Sequence, residues 1–324
     1  MDIDEKNEGL DAILSDDIDI DTNQEELEQE NPLTQEKFRV RSGAALSMTD
    51  IYKIAAKEST KMIVLVGPVA SGKTTLETSL YQMFQNNPVK DLYFAGSNSL
   101  HGFEQRAFYT RIKSKGNEPQ TQRTNLEDRH AFLHLRLYNS NKDIISNLVL
   151  ADISGEAFTN HIGQVDEVKK SFPFIERADY LVGVIDCEKL CAKRTRNSTI
   201  SEIIELVKTF WDAELIMDEC ILQIVFSKFD ILAEIEDFDS ILEKVKKQIT
   251  TRLAESFKKI KFYNVAAMPP VVDKFSIGYG LDLLLQDWVK KHISKCSVKM
   301  GKSFDELSEY DRLYCKFLGE LDEQ

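Results

Sequence analysis

No run of apolar residues in this 324-residue chain approaches the ~20 that a membrane-spanning helix needs, and no cationic, apolar leader opens it. Those two absences predict a cytoplasmic chain with no membrane span. Cysteine is scarce: five residues, an odd number, lie scattered at 187, 191, 220, 296 and 315, which argues for reduced thiols and against a disulfide framework. Cys187 and Cys191 have C-x3-C spacing without a second pair, and His130 and His134 share one face of a strand-like run, so both pairs read as structural rather than as zinc ligands. Positive charge is not in surplus either. The formal net charge is -13, and residues 1–36 carry 14 acids and one base, Lys6; taking these from 54 acids and 41 bases leaves 40 of each. A neutral body lacks the basic surface that nucleic-acid binding requires, and the acidic leader is expected to be disordered. In that leader Asp17, Asp19, Asp21 and Glu28 imitate four positions of a calcium loop, but Thr22 stands where the turn glycine belongs, so the segment reads as a solvated arm.

What the chain does contain is Gly67-Pro-Val69-Ala70-Ser71-Gly72-Lys73-Thr74-Thr75, directly after the apolar run Met62 to Val66. It matches the phosphate loop G-x-x-x-x-G-K-[ST] at every fixed position. Glycines let the backbone turn so that successive N–H groups face a phosphate, and the helix that follows points its positive end at the same anion. Lys73 is suited to bridging the β- and γ-phosphates, the Thr74 hydroxyl is a hard oxygen donor for Mg²⁺, and Thr75 is placed to reach the α-phosphate.

Strand-like and helix-like segments alternate along the body, the pattern of a largely parallel sheet covered on both faces. The expected strands are 62–66, 132–138, 147–152, 180–186, 222–227 and 261–266, and the expected helices 74–84, 201–212, 238–257 and 280–292. The link between the second and third strands is too short for a helical crossover, so one antiparallel strand is expected. The third strand delivers Asp152, then Gly155 and Glu156, to the carboxyl edge where open α/β sheets bind ligands. There Asp152 is placed to hold Mg²⁺ through a water and the Gly155 N–H to sense a γ-phosphate. The fifth strand ends in Ser227-Lys228-Phe229-Asp230: the Asp230 carboxylate suits guanine N1–H and the N2 amino group, and the Lys228 stem suits the face of the base. Ala266 and Ala267 are positioned to offer a backbone N–H to guanine O6.

Taken in order, residues 67–74, 152–155, 227–230 and 265–267 resemble the four nucleotide-binding elements of the Ras-like GTPase superfamily, over about residues 60–293. Phe94-Ala-Gly-Ser-Asn-Ser-Leu-His-Gly-Phe103-Glu, Asp152-Ile-Ser-Gly-Glu156-Ala-Phe and Ser227-Lys-Phe-Asp look like bacterial double-GTPase proteins, inferred to act in conflict or defence systems. The resemblance implies a three-layer P-loop NTPase fold (a Ras-like G domain), a mostly parallel sheet with one antiparallel strand, GTP and GDP as ligands, Mg²⁺ as cofactor, and a protein effector or partner GTPase.

Three departures qualify it. Ser227 stands where Asn or Thr is usual, which loosens a hydrogen bond holding the base loop; Val265 and Ala267 replace Ser and Lys; and Glu156 stands where the water-orienting Gln belongs, predicting slow turnover stimulated by a partner. The threonine that closes over Mg²⁺ is expected at Thr121 or Thr124, with Arg123, Arg106 or Arg111 as candidate arginines for transferring charge. The organisation expected is an acidic leader over 1–46, a GTPase domain with insertions over 47–295, and a helical extension over 296–324, in which Ser303 to Glu306 form a capping-box pattern before Leu307, Tyr310, Leu313, Tyr314, Phe317 and Leu321. A P-loop ATPase and a non-hydrolysing pseudo-GTPase scaffold are the alternative functions.

Overall fold

The computed structural model describes residues 42–108, 131–152, 155–159, 161–270, 274–290, 308–310 and 312–313, the side chains of 152, 158 and 159 excepted. The leader therefore lies almost wholly outside the described residues, as does most of the C-terminal extension, of whose apolar positions Tyr310 and Leu313 are described and exposed.

The chain enters the fold slightly earlier than its composition suggests. Leu46 is buried and exchanges backbone hydrogen bonds with Phe132, at 2.8 and 3.0 Å. Helix α1 (Met48–Ala55) then begins at a capping box: the Asp50 N–H donates to Ser47 Oγ and the Ser47 N–H to the Asp50 carboxylate, both at 3.3 Å, satisfying two of the donors a helix start leaves open. Strand β1 (Thr60–Val66) leads into the phosphate loop and helix α2 (Lys73–Asn86), then β2 (Leu92–Gly96), α3 (Leu100–Ala107), β3 (Ala131–Asn139) and β4 (Ile144–Asp152). There follow the short α4 (Gly155–Thr159), α5 (Val165–Ser171), a 3-10 turn, β5 (Tyr180–Asp186), α6 (Cys187–Cys191), α7 (Lys193–Asp212), β6 (Ile221–Ser227), α8 (Phe229–Leu232), α9 (Phe238–Leu253), β7 (Ile260–Asn264) and α10 (Leu281–Trp288).

These strands form one seven-stranded sheet in the order β2-β3-β4-β1-β5-β6-β7. Strand β3 is antiparallel to both β2 and β4, and the remaining pairs are parallel, so one strand opposes the other six. Alternation within each strand divides the apolar residues between two faces. Met62, Val64 and Val66 join a core with α1, α5, α7 and α9, whereas Ile63 and Leu65 join one with α2, α3 and α10. The result is a three-layer α/β fold with a mostly parallel sheet, as the sequence predicts. Among the described residues no helix is long and apolar enough to cross a membrane.

Strand β2 and helix α3 are additions to the sequence reading, which expects no element between the helix at 74–84 and the strand at 132–138. Only Leu92 of β2 is fully buried, and a bulge interrupts its pairing between Phe94 and Gly96, so an edge strand this short shows no alternation to read. The Ser97-Asn98-Ser99 turn after it is stitched to β3: Ser97 Oγ donates to the His134 carbonyl at 2.6 Å, the His134 N–H to Ser99 Oγ at 2.7 Å, and the Asn98 N–H to His134 Nδ1 at 3.1 Å. With Nδ1 accepting, Nε2 carries the proton and donates to Asn147 Oδ1 at 3.2 Å. Gly102 of α3 is required by crowding, since a Cβ there would fall 2.8 Å from the Ala45 nitrogen.

At the amino end of the sheet, buried Asp287 of α10 accepts from Gln223 at 2.8 Å, Tyr263 at 2.9 Å, Lys290 at 3.2 Å and Lys261. Burial alone raises this carboxyl, but the bonds from Lys261, Tyr263 and Lys290 outweigh it and bring it to about 2. The network fastens α10 to β6 and β7 and leaves the opposite, carboxyl edge for ligand chemistry.

Candidate nucleotide-binding site

The segments expected to bind nucleotide after β1, β4, β6 and β7 lie at the carboxyl ends of those parallel strands. The loop after β1 turns through Gly67, whose φ is +154° and whose Cβ, if present, would lie 2.7 Å from the Val184 carbonyl. Gly72, at φ +93°, occupies the N-cap of α2 in a left-handed conformation that a side chain resists. Ala70 also has positive φ, 63°, an unusual state for a residue with a Cβ and a mark of a loop held by its surroundings. Lys73 is buried and its ammonium donates to the Gly67 carbonyl at 2.8 Å and the Pro68 carbonyl at 3.0 Å, so the side chain folds back over its own loop. Ser71 is fully buried and its hydroxyl has no hydrogen-bond partner among the described residues. A buried hydroxyl at the start of a 14-residue helix suits an anion with oxygens to share.

Gly155, at the start of α4, lies against this loop. A Cβ on it would be 2.7 Å from the Val69 nitrogen, 2.8 Å from the Pro68 carbonyl carbon and 2.9 Å from Lys73 Nζ. Only glycine fits that approach. Glu156 follows in the first turn of α4 and is half-buried. Asp152 ends β4, which pairs directly with β1, so its backbone and Thr74 at the head of α2 meet at the same edge. Threonine and aspartate, the residue types that the chain brings to this edge, carry the hard oxygens that Mg²⁺ takes, so their chemistry fits the ion. Thr121, Thr124, Arg111 and Arg123 lie outside the described residues. Arg106 donates to the Gly102 carbonyl of its own helix at 3.1 Å.

The base element adjoins the phosphate loop through Ser227. Its hydroxyl lies 2.7 Å from the Ser71 carbonyl and 3.1 Å from the Ile185 carbonyl, donating into the space between β5 and the loop. The expectation that serine here loosens the loop is thus corrected: Ser227 is buried at the strand end, close enough for a short side chain to do the holding. Lys228 has φ +50° and its ammonium is bonded to Asp186 at 2.8 Å and Glu188 at 2.9 Å. Asp230 lies in the first turn of α8, and burial raises its carboxyl above the ordinary aspartate value. The Phe229 ring between them stacks on Tyr279, with centroids 6.3 Å apart, and meets Phe238 and Phe275 edge-on.

Ala266 and Ala267 flank this element, but they are not equivalent. The Ala266 N–H donates to the Tyr279 carbonyl at 3.1 Å, and the Gly278 N–H donates to the Ala267 carbonyl at 3.0 Å. The turn at 276–280 therefore rivets the loop and occupies the Ala266 donor. That turn, Asp186 and Glu188 were missed by sequence reasoning. A strand ending in Ile185-Asp186-Cys187-Glu188 was the available signal for the carboxylates. Burial pushes the Cys187 thiol well above the usual value and Cys191 above it too, and no group of three metal-ligating side chains occurs among the described residues.

No curated protein matches the chain in sequence. Among solved structures it is similar to the Saccharomyces cerevisiae Ski7 GTPase-like domain, bound to GDP and inorganic phosphate, at 16% identity and a TM-score of 0.44, over 76% of this chain and 54% of that one. It is also similar to the signal recognition particle receptor SRb-GTP/SRX complex from Chaetomium thermophilum, at 14% identity and a TM-score of 0.38, over 71% and 96%. The chain thus spans about half the length of the Ski7 structure it matches. In sequence, the profile of one family covers residues 61–289, from the first residues of β1 to the end of α10, and the chain belongs to that family, Double-GTPase 2.

Proposed function

We propose that this GTPase-family protein is a molecular switch that binds GTP and hydrolyses it to GDP with Mg²⁺, slowly unless a partner protein assists. The observation that carries the reading is the meeting of three chain segments at one point. Gly155 presses on Val69 and Lys73 while Ser227 is hydrogen-bonded to Ser71, so phosphate, γ-phosphate sensor and base reader share one scaffold. A nucleotide seated there contacts all three at once, and loss of its γ-phosphate alters what Gly155 touches.

Thr74, and Asp152 through a water, would hold Mg²⁺, whose charge would offset that of the phosphates. The chain itself supplies the Lys73 ammonium, the α2 terminus and the loop N–H groups as preorganised electrostatics. Glu156 is an acceptor rather than the amide of Ras-like enzymes, which supports slow intrinsic turnover and leaves a nucleotide-dependent scaffold without turnover as the second reading. The proposal extends to a cytoplasmic setting and to service in a bacterial conflict or defence system, alongside an effector or partner GTPase.

Competition calorimetry among GTP, ATP and xanthosine triphosphate tests the ligand. Wild type should prefer GTP, and Asp230→Asn should shift preference towards the xanthine nucleotide by at least about tenfold, since the carboxylate's two guanine bonds are each worth roughly 1–3 kcal/mol. Preference for ATP would refute the reading. Phosphate release with and without chelator, in wild type and Glu156→Ala, then separates hydrolysis from scaffolding.

A further inference from the structure

Strand β5 ends in Asp186, 3% exposed and directly opposite Ser227 in the sheet register. One of its oxygens, Oδ1, caps α6 by accepting the Glu188 N–H at 3.0 Å; the other, Oδ2, accepts the Lys228 ammonium at 2.8 Å. Glu188 closes on the same ammonium at 2.9 Å. Burial works against the charge on Lys228, but the bonds to Asp186 and Glu188 overcome it and raise its pKa above the ordinary lysine value. The Glu188 carboxyl is lowered, first by its hydrogen bond from Lys228.

The arrangement is costly, which makes it informative. Lys228 adopts φ +50°, a left-handed backbone that a residue with a Cβ resists, and pinning a lysine side chain sacrifices its rotamer entropy. A lysine meant only to reach solvent needs neither. Three carboxylates, Asp186, Glu188 and Asp230, surround the element with Lys228 between them, and the ammonium is bonded to the first two.

We infer that Asp186 and Glu188 are positioning residues of the base site, holding the Lys228 ammonium so that its methylene stem forms a ready-made platform for a guanine face and leaves the Asp230 carboxylate free to read the base edge. The inference rests on the GTP reading above and adds the residues that set its selectivity. Released from its two anchors, Lys228 is drawn to Asp230, two residues away, where it competes with the guanine N1–H and N2 hydrogens for the same oxygens. The clamp therefore raises guanine affinity through one side chain while touching no nucleotide itself.

The test compares GDP, ADP and inorganic tripolyphosphate binding by calorimetry at constant salt, in the full chain. Asp186→Asn should weaken GDP about tenfold and Glu188→Gln about two- to threefold, the difference reflecting the greater exposure of Glu188. Tripolyphosphate, which has no base, should bind each variant within about twofold of wild type. In a Lys228→Met background, where a stem of similar length carries no charge, the same two carboxylate changes should alter GDP affinity less than about twofold, because nothing remains for them to hold. Equal losses in both backgrounds, or losses shared by tripolyphosphate, overturn the inference and make the pair part of the general scaffold. No preference of wild type for GDP over ADP overturns the GTP reading itself, a separable outcome. Should Asp186→Asn not fold, Glu188→Gln with and without Lys228→Met gives the same comparison on an exposed residue.

Discussion

Replacing Ser227 by alanine removes one hydroxyl and isolates the joint between the base loop and the phosphate loop. The hydroxyl is buried, and its hydrogen is shared between the Ser71 carbonyl at 2.7 Å and the Ile185 carbonyl at 3.1 Å. Alanine keeps the Cβ and opens almost no cavity, so the expected effect is polar. A buried hydrogen bond is worth about 1 kcal/mol net, and a carbonyl left without its donor adds roughly 1–3 kcal/mol. Only one hydrogen is lost, and each carbonyl keeps other neighbours, so the sum should fall near 2 kcal/mol. It should appear twice. Urea unfolding monitored by Trp fluorescence should show a stability loss of about 1–2 kcal/mol at unchanged slope. Calorimetry should show GDP weakened about tenfold, the equivalent of about 1.4 kcal/mol, because GDP needs both loops in register, while tripolyphosphate needs only one and should be little affected. A variant that matches wild type in stability and in GDP affinity would refute the claim that this bond joins the two halves of the site.

Three further outcomes follow from other parts of the fold. Gly155→Ala places a Cβ 2.7 Å from the Val69 nitrogen and 2.9 Å from Lys73 Nζ, so α4 must withdraw; single-turnover phosphate release should fall at least about tenfold while GDP binding survives. Asp287, held at about 2 against an ordinary 3.8, is depressed in the folded state, so its contribution of roughly 2 kcal/mol is present above the ordinary value and lost as pH falls through about 2. Asp287→Asn should accordingly be destabilised at pH 7, and its deficit relative to wild type should shrink when urea midpoints are compared at pH 3. His134→Leu removes the acceptor for the Asn98 N–H and the donor to Asn147 in a buried setting, which should cost about 2–4 kcal/mol and speed amide hydrogen exchange first in β2 and α3.

Much of the architecture was readable because its causes are local. Five of the seven strands are runs rich in buried apolar residues, β7 is a half-buried one, and the short link between β3 and β4 dictates their antiparallel pairing. Helix α1 and its Ser47–Asp50 capping box went unread: the helix has only eight residues and two buried side chains, and it precedes the strand and helix alternation that the reading followed. Strand β2 is different in kind. Its place at the sheet edge comes from its pairing with β3, which begins some 35 residues further along, and not from anything in Leu92 to Gly96.

The sequence by itself determined the chemistry of the phosphate loop, since Gly67, Gly72, Lys73 and Thr74 act through backbone angles and functional groups within one short stretch. It also determined that Asp152, Ser227 and Asp230 reach the carboxyl edge, because each follows an apolar parallel strand. Tertiary structure alone decided which of these groups touch. Ser227 is bonded to Ser71 across 156 positions, Lys228 to Asp186 across 42, and the Ala266 donor goes to Tyr279 instead of remaining open. Such pairings depend on the strand order, which sets β1 beside β5 and β5 beside β6, and strand order is a property of the whole packed sheet rather than of any one segment.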